Sequence, residues 1–275
     1  TITDACGNTS VNIVHTININ DTTAPAVTGS LSSSTVEGCS AGDAPAAVTT
    51  VAALEALTGN LQIADACVPD ASLVVTSSQT STGSCPLVIT RIYTVTDVCG
   101  NTSINISHTI NVNDTTAPAV TGSITPSVIE GCSIGAAPVA VTTVAAMEAL
   151  AGNLQIADAC TVDANLTVTS SQTTAGTCPI VITRTYKVTD ACGNTSIDII
   201  HTINIDDTIA PQATGSITTS TYEGCSVEEA PLTATTFAAL EPLAGHLHPS
   251  HGCTADDNLA VTSSQTATGT CPIVI

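Results

Sequence analysis

The chain has 275 residues, of which 23 are acidic and only Arg91, Arg184 and Lys187 are basic, for a formal charge of −20. That balance excludes nucleic acid and anionic membrane surfaces as partners, since both need Lys or Arg, and no apolar run is long enough for insertion into a bilayer. Val, Ile and Thr are abundant while the aromatic residues are limited to Tyr93, Tyr186, Tyr222 and Phe237, a composition that favours strands.

The chain is periodic. Thr-Asp-x-Cys-Gly-Asn-Thr-Ser begins at Thr3, Thr96 and Thr189, and Asp-Thr-x-Ala-Pro follows at Asp21, Asp114 and Asp207, a period of 93 residues. A fixed period through the whole length marks a tandem array. It predicts the C-terminal strands of a preceding repeat over 1–20, complete repeats over 21–113 and 114–206, and an incomplete repeat over 207–275. The chain is four residues short of three periods, and the shortfall corresponds to 183–186, inside a predicted strand. Either the sequence is a window on a longer array, the preferred reading, or each chain completes its end strand with a neighbour's.

In the repeat that begins at Asp114, the run Asp114-Thr115-Thr116-Ala117-Pro118 reads as a stiff linker, because proline fixes its own φ and biases Ala117 toward extended backbone. Strands are expected over 119–125 and 128–132. The one helix is expected over 142–152, from a Thr N-cap, good helix formers, a closing Gly152 and an apolar stripe of Val144, Met147 and Leu150. A strand or bend over 154–160 precedes an alternating strand over 165–172 and the longest strand over 178–190. Gly193 and Asn194 suit the φ > 0 of a hairpin turn, and 197–205 returns as the last strand. His15, His108 and His201 recur in the middle of that last strand and are expected to face solvent. The expected fold is all-β: tandem immunoglobulin-like antiparallel β-sandwiches with one short helix per repeat.

Twelve cysteines follow the same period, four per repeat. None forms a CxxC pair, which argues against a zinc ribbon or a thioredoxin-type site. An even number per repeat points to disulfides and an oxidising, extracytoplasmic setting. Four cysteines allow three connectivities, and the residues alone leave all three open.

Val188-Thr189-Asp190-Ala191-Cys192-Gly193-Asn194, the alternating strand after it, and Asn113-Asp114-Thr115-Thr116-Ala117-Pro118 resemble a known family. They are similar to the HYR-like, immunoglobulin-type repeats of giant Bacteroidota surface proteins, among them SprB-type gliding-motility adhesins secreted by the type IX route. The resemblance covers all three repeats, although the helix-bearing middle segment departs from it. It implies an extended, extracellular filament or adhesin at the cell surface. It also implies Cys67–Cys99 and Cys160–Cys192 bridges, with Cys39–Cys85, Cys132–Cys178 and Cys225–Cys271 as the second set, and Cys6 and Cys253 left without partners in the chain. Each such bridge would contribute on the order of 3–4 kcal/mol. The Asp-Thr-Thr and Asp-Thr-Ile linkers further resemble a Bacteroidota O-glycosylation motif, which implies sugars on Thr22, Thr115 and Thr208; a plain β-bend is the alternative.

Metal binding is read from the residues themselves. Asp21, Asn113, Asp114, Asp206 and Asp207 lie where one repeat hands over to the next, with Glu37, Asp97, Glu130, Asp190 and Glu223 on neighbouring loops. Such donors suit calcium, which takes about six to eight oxygens; turn capping and solubility are the alternative. His246, His248 and His251 form a zinc or copper candidate, against the preferred reading of a drifted surface loop. No GxSxG, HExxH or phosphate-binding loop is present, so no enzyme activity is expected.

The expected function is a structural stalk of disulfide-stapled domains strung end to end, with further copies of the repeat as partners. One alternative is a fibre subunit joined to others by donor-strand exchange. The other is an adhesive module for surface polysaccharide, a role the scarcity of aromatic residues serves poorly.

Overall fold

The structure is a computed structural model that describes residues 1–240, 244–255, 258–269 and 273–274. The chain forms two compact units. The first comprises Thr1–Pro118 with Ala157–Asn165 and Thr189–Thr195, and the second Ala119–Ile156, Leu166–Val188 and Ser196–Ile275.

Strands β1 (Ala26–Thr28), β2 (Ser34–Glu37), β3 (Gln62–Ala64), β4 (Val74–Thr82), β5 (Leu87–Thr96) and β6 (Ile106–Asn113) build the first unit, with one α-helix, α1 (Val51–Glu55). Consecutive β4, β5 and β6 pair antiparallel through short connections. β2 is separated from β6 by most of the repeat, so no hairpin dictates its direction, and it lies parallel along the β6 edge. The sheet is therefore mixed rather than purely antiparallel, in the order β2-β6-β5-β4. Period-two alternation turns Ile89, Arg91, Tyr93 and Val95 of β5 inward, together with their cross-strand neighbours Ile106, His108, Ile110 and Val112 of β6. The β1–β3 pair and α1 cover this face with Val27, Ile63, Val51 and Leu54, which meet Val75, Tyr93, Val95 and Ile106 in one apolar cluster. The result is an all-β sandwich with one short helix per repeat.

The second unit repeats this plan with β7 (Ala119–Thr121), β8 (Ser127–Glu130), α2 (Val144–Glu148), β9 (Gln155–Ala157), β10 (Thr167–Ala175), β11 (Ile180–Thr189) and β12 (Ile199–Asp206). Its four-stranded sheet runs β10-β11-β12-β8, and β7 pairs with β9. Later in the chain β13 (Gln212–Ile217) pairs antiparallel with β14 (Ala244–Ser250).

The helix begins where the sequence places it. Thr143 caps α2 by accepting from Ala146 N at 3.2 Å, and Val144 and Met147 are buried as the i, i+3 stripe requires. It closes earlier than expected, after Glu148, whose Oε1 accepts from Ile156 N at 2.8 Å and ties the helix end to β9. Gly152 is not a helix cap but a bridge partner of Ile124.

Two further expectations are corrected. Residues 11–20 form no strand among the described residues: with no neighbouring strand to complete a ladder, Val11, Ile13, Val14, Ile17 and Ile19 are exposed, although the turn before them still closes through a Thr3–Thr9 bridge. His108 and His201 do not face solvent but are buried, because they share the inward parity of Ile106, Ile110 and Val112 and of Ile199, Ile203 and Ile205; His15 is exposed.

Candidate functional site

In the repeats that begin at Asp21 and Asp114, two Asp-x-Cys turns lie beside the linker aspartate. Asp65 Oδ1 accepts from Cys67 N and Val68 N, both at 2.9 Å. Asp97 Oδ1 accepts from Cys99 N at 2.9 Å and Asn101 N at 2.8 Å. The Asn101 side chain donates to Asp97 Oδ2 at 2.7 Å and to Asp21 O at 3.1 Å, so it pins the hairpin turn to the linker. Carboxylate oxygens of Asp21, Asp65 and Asp97 thereby lie within 4.8 Å of one another. One period later Asp158 Oδ1 accepts from Cys160 N and Thr161 N, and Asp190 Oδ1 from Cys192 N and Asn194 N. Asn194 Nδ2 donates to Asp114 O at 3.0 Å. All of these residues belong to the first unit.

The clusters are poorly solvated and carry no positive side chain. Asp97, Asp114 and Asp190 are 5%, 4% and 6% exposed. Asp21 Oδ2, Asp65 Oδ2 and Asp114 Oδ2 are buried and accept no hydrogen bond. Burial pushes the Asp114 pKa above the ordinary Asp value; the charges of Asp158, Asp190 and Glu37 add to the shift, against one backbone hydrogen bond from Thr116. At Asp97 burial works the same way, but the hydrogen bonds from Asn101, Cys99 and Gly100 outweigh it and hold the carboxyl below the ordinary range. The basic residues are engaged elsewhere: Arg91 with Gln79, Arg184 with Gln172 and Pro138 O, and Lys187 with Asp198 at 3.4 Å.

The disulfides join successive repeats. Cys39–Cys160 and Cys85–Cys192 lie in the first unit and Cys132–Cys253 in the second, with Cα–Cα separations of 5.0, 5.3 and 4.8 Å, inside the range a disulfide spans. This corrects the pairing expected within one repeat: Cys39–Cys85, Cys160–Cys192 and Cys132–Cys178 are not formed, and Cys67 and Cys99 are both free thiols. For Cys39 and Cys85 the reason is strand order. Cys39 follows β2 and Cys85 precedes β5, and these strands flank β6 on opposite sides. Two strand spacings separate them by roughly 9–10 Å, beyond disulfide reach. Cys271, expected to pair with Cys225, lies outside the described residues. The Asp21 charge, followed by burial and Asp65, pushes the Cys67 thiol up. The three disulfides among the described residues fit an oxidising compartment, and no helix among the described residues is long and apolar enough to cross a membrane.

Of the calcium candidates, Asp21 and Asp114 join the clusters. Asn113 and Asp206 end β6 and β12, where they stand opposite Glu37 and Glu130 in the parallel ladders, outside the clusters. Glu37 accepts from Thr115 N at 3.0 Å and from the hydroxyls of Thr115 and Thr116, and Glu130 does the same for Thr208 N and its hydroxyl. The glycosylation candidates Thr115 and Thr208 thus have engaged hydroxyls, while Thr22 is exposed. Asp207 meets His251, whose Nε2 lies 3.2 Å from Asp207 Oδ2 and 2.8 Å from Ile209 O. The side chains of His246 and His248 lie outside the described residues. Asp65 and Asp158 are the members that sequence reasoning missed. Their signal was present: each stands two residues before a cysteine, as Asp97 and Asp190 do.

No protein-family model matches the chain, and no curated protein matches it.

Proposed function

We propose that the chain is a structural segment of an extracellular fibre at the cell surface, made of β-sandwich repeats in series, with further copies of the same repeat as its partners. The observation that carries this reading is the set of disulfides running from each repeat to its successor, at sequence separations of 107 and 121 residues. A bridge inside one domain protects that domain alone, whereas a bridge between repeats carries tension past the sandwich strands. Each closes a loop long enough to stabilise the fold by about 4–5 kcal/mol in the chain-entropy account. The charge of −20 keeps such an object soluble. The likeness of the hairpin and linker to SprB-type gliding adhesins supports the same reading, and no catalytic role is assigned. Tyr93 and Tyr186 are core residues, which leaves little aromatic surface for sugar stacking.

Single-molecule pulling tests the proposal. The shortest covalent path along the chain passes through Cys39–Cys160 and Cys132–Cys253, so more than half of the contour length stays hidden until a reductant is added. Equal contour lengths with and without reductant would overturn it.

A second reading is strand exchange between chains. The mass of the polypeptide from its source under reducing denaturation separates the two. A band far above 27.4 kDa supports a covalent array, and a band near that mass supports exchange.

A further inference from the structure

The chain carries an aspartate cluster twice, one period apart, and two of its three positions recur a third time with one side chain changed. Asp21, Asp65 and Asp97 form the first; one period later Asp114 and Asp190 lie together beside Cys192, with Asp158 at the position of Asp65 and its charge acting on Asp114. In the third copy Asp207 keeps its place, but His251 stands where Asp65 and Asp158 stand. The imidazole performs the backbone task of the carboxylate it replaces. Its Nδ1 accepts from Cys253 N and Thr254 N at 3.2 and 2.9 Å, as Asp158 Oδ1 accepts from Cys160 N and Thr161 N. With Nδ1 accepting, the ring carries its hydrogen on Nε2, beside Asp207 Oδ2. The oxygen left buried and without a partner at Asp21 and Asp114 therefore has a donor wherever histidine takes the aspartate's place.

We propose that Asp21, Asp65 and Asp97 bind one calcium ion, that Asp114, Asp158 and Asp190 bind a second, and that the His251 imidazole substitutes for the ion in the third copy. Asp114 is 4% exposed, and its Oδ2 meets neither a donor nor a cation of the protein. A buried carboxylate oxygen escapes such a cost by taking up a proton or by pairing with a cation. The donors are all oxygens: the one sulfur near the second cluster, Cys192, is bonded to Cys85 and offers no thiolate. Hard oxygen donors select calcium or magnesium over zinc and copper. Carboxylates arriving from a linker, a loop and a hairpin form an adaptable set rather than a rigid octahedron, which favours calcium. The bound ion would fasten the linker to the two turns that carry the cysteines. This assignment stands independently of the fibre reading.

Calorimetric titration of calcium chloride into the EDTA-stripped chain tests it, with melting followed by circular dichroism. The expected result is two equivalents bound and a lower melting temperature in EDTA. Asp114→Asn reduces the count to one, and Asp21→Asn with Asp114→Asn to none. Asp158→His copies the third cluster into the second: it binds one equivalent and melts higher in EDTA than the parent does in EDTA. Absence of saturable binding at millimolar calcium, or two equivalents surviving in the double variant, overturns the proposal. Should a variant fail to fold, the parent decides alone, because an unchanged melting temperature on chelation is equally fatal. Magnesium that binds as tightly as calcium overturns the choice of ion.

Discussion

Arg91 and His108 stand directly opposite each other in the β5–β6 ladder, and both are buried. Arg184 and His201 repeat the pair in β11 and β12. Each imidazole has its Nε2 beside a serine, Ser34 at 3.3 Å for His108 and Ser127 at 3.2 Å for His201, while each Nδ1 is buried without a partner. Burial, with the arginine charge adding, holds both rings below the ordinary histidine pKa of 6.5. A proton on either ring would gain no acceptor and would face a guanidinium.

The sign of the resulting pH dependence follows. Above about pH 6.5 the rings are neutral in both folded and unfolded chains and contribute no slope. As pH falls below 6.5 the unfolded chain binds protons that the folded chain resists, so stability declines. The urea midpoint is therefore expected to drop between pH 7 and pH 5, and His108→Leu with His201→Leu is expected to flatten that part of the curve. Glu37, held low first by the Thr115 side chain, and Asp43, held low first by Cys39 N, lose their contribution only at more acid pH. A flat midpoint between pH 7 and pH 5 in the parent would contradict this account.

The disulfide connectivity predicts a peptide map. Digestion without reductant should yield linked peptides holding Cys39 with Cys160, Cys85 with Cys192 and Cys132 with Cys253, and Cys67 and Cys99 should accept an alkylating reagent once the chain is unfolded. Recovery of a Cys39–Cys85 peptide would show that the strand-order argument is wrong.

Much of the fold was legible because it rests on short-range patterns. Val144 and Met147 announce a buried helical stripe, and the alternation through β5 and β6 announces a half-buried sheet. The same alternation places His108 inside, since it shares the parity of Ile106, Ile110 and Val112; the expectation of a solvent-facing ring rests on residue type instead of position. The disulfides were illegible for a different reason. Cysteine spacing within a repeat says nothing of which turns of the next repeat lie against Cys39 and Cys85, and that proximity is set by tertiary structure. The aspartate clusters fall between these cases. Asp21 and Asp114 were visible as linker residues, but Asp65 and Asp158 join them only because both Asp-x-Cys turns fold toward the same linker.

Two kinds of glycine should respond differently to substitution. Gly122 has φ +72°, and a Cβ there would lie 2.0 Å from Asn153 O. Gly193 has φ +92° with nothing within 4 Å of the added carbon. Gly193→Ala meets left-handed backbone strain alone, about 1–2 kcal/mol, whereas Gly122→Ala combines that strain with a backbone collision and should cost clearly more. Equilibrium urea unfolding of both variants measures the difference, and equal losses would refute the close approach of 122 to 153.

The periodicity supplies its own control for the core. Leu54 and Met147 occupy equivalent places in α1 and α2, and both are 0% exposed. Leu54 packs in a cluster with Val51, Leu61 and Tyr93, and Met147 in one with Val144, Leu154 and Tyr186. The surroundings are the same residue types, so the site has already been filled by either side chain at nearly constant volume. Met147→Leu should therefore cost less than about 1.5 kcal/mol, while Met147→Ala, which leaves a cavity that the five-residue helix and the sheet cannot close, should cost about 2–5 kcal/mol. Urea unfolding monitored by circular dichroism distinguishes them. A large loss for Met147→Leu would mean that the second core relies on the flexible thioether to fill a space leucine cannot, and that the two repeats are less alike inside than their sequences imply.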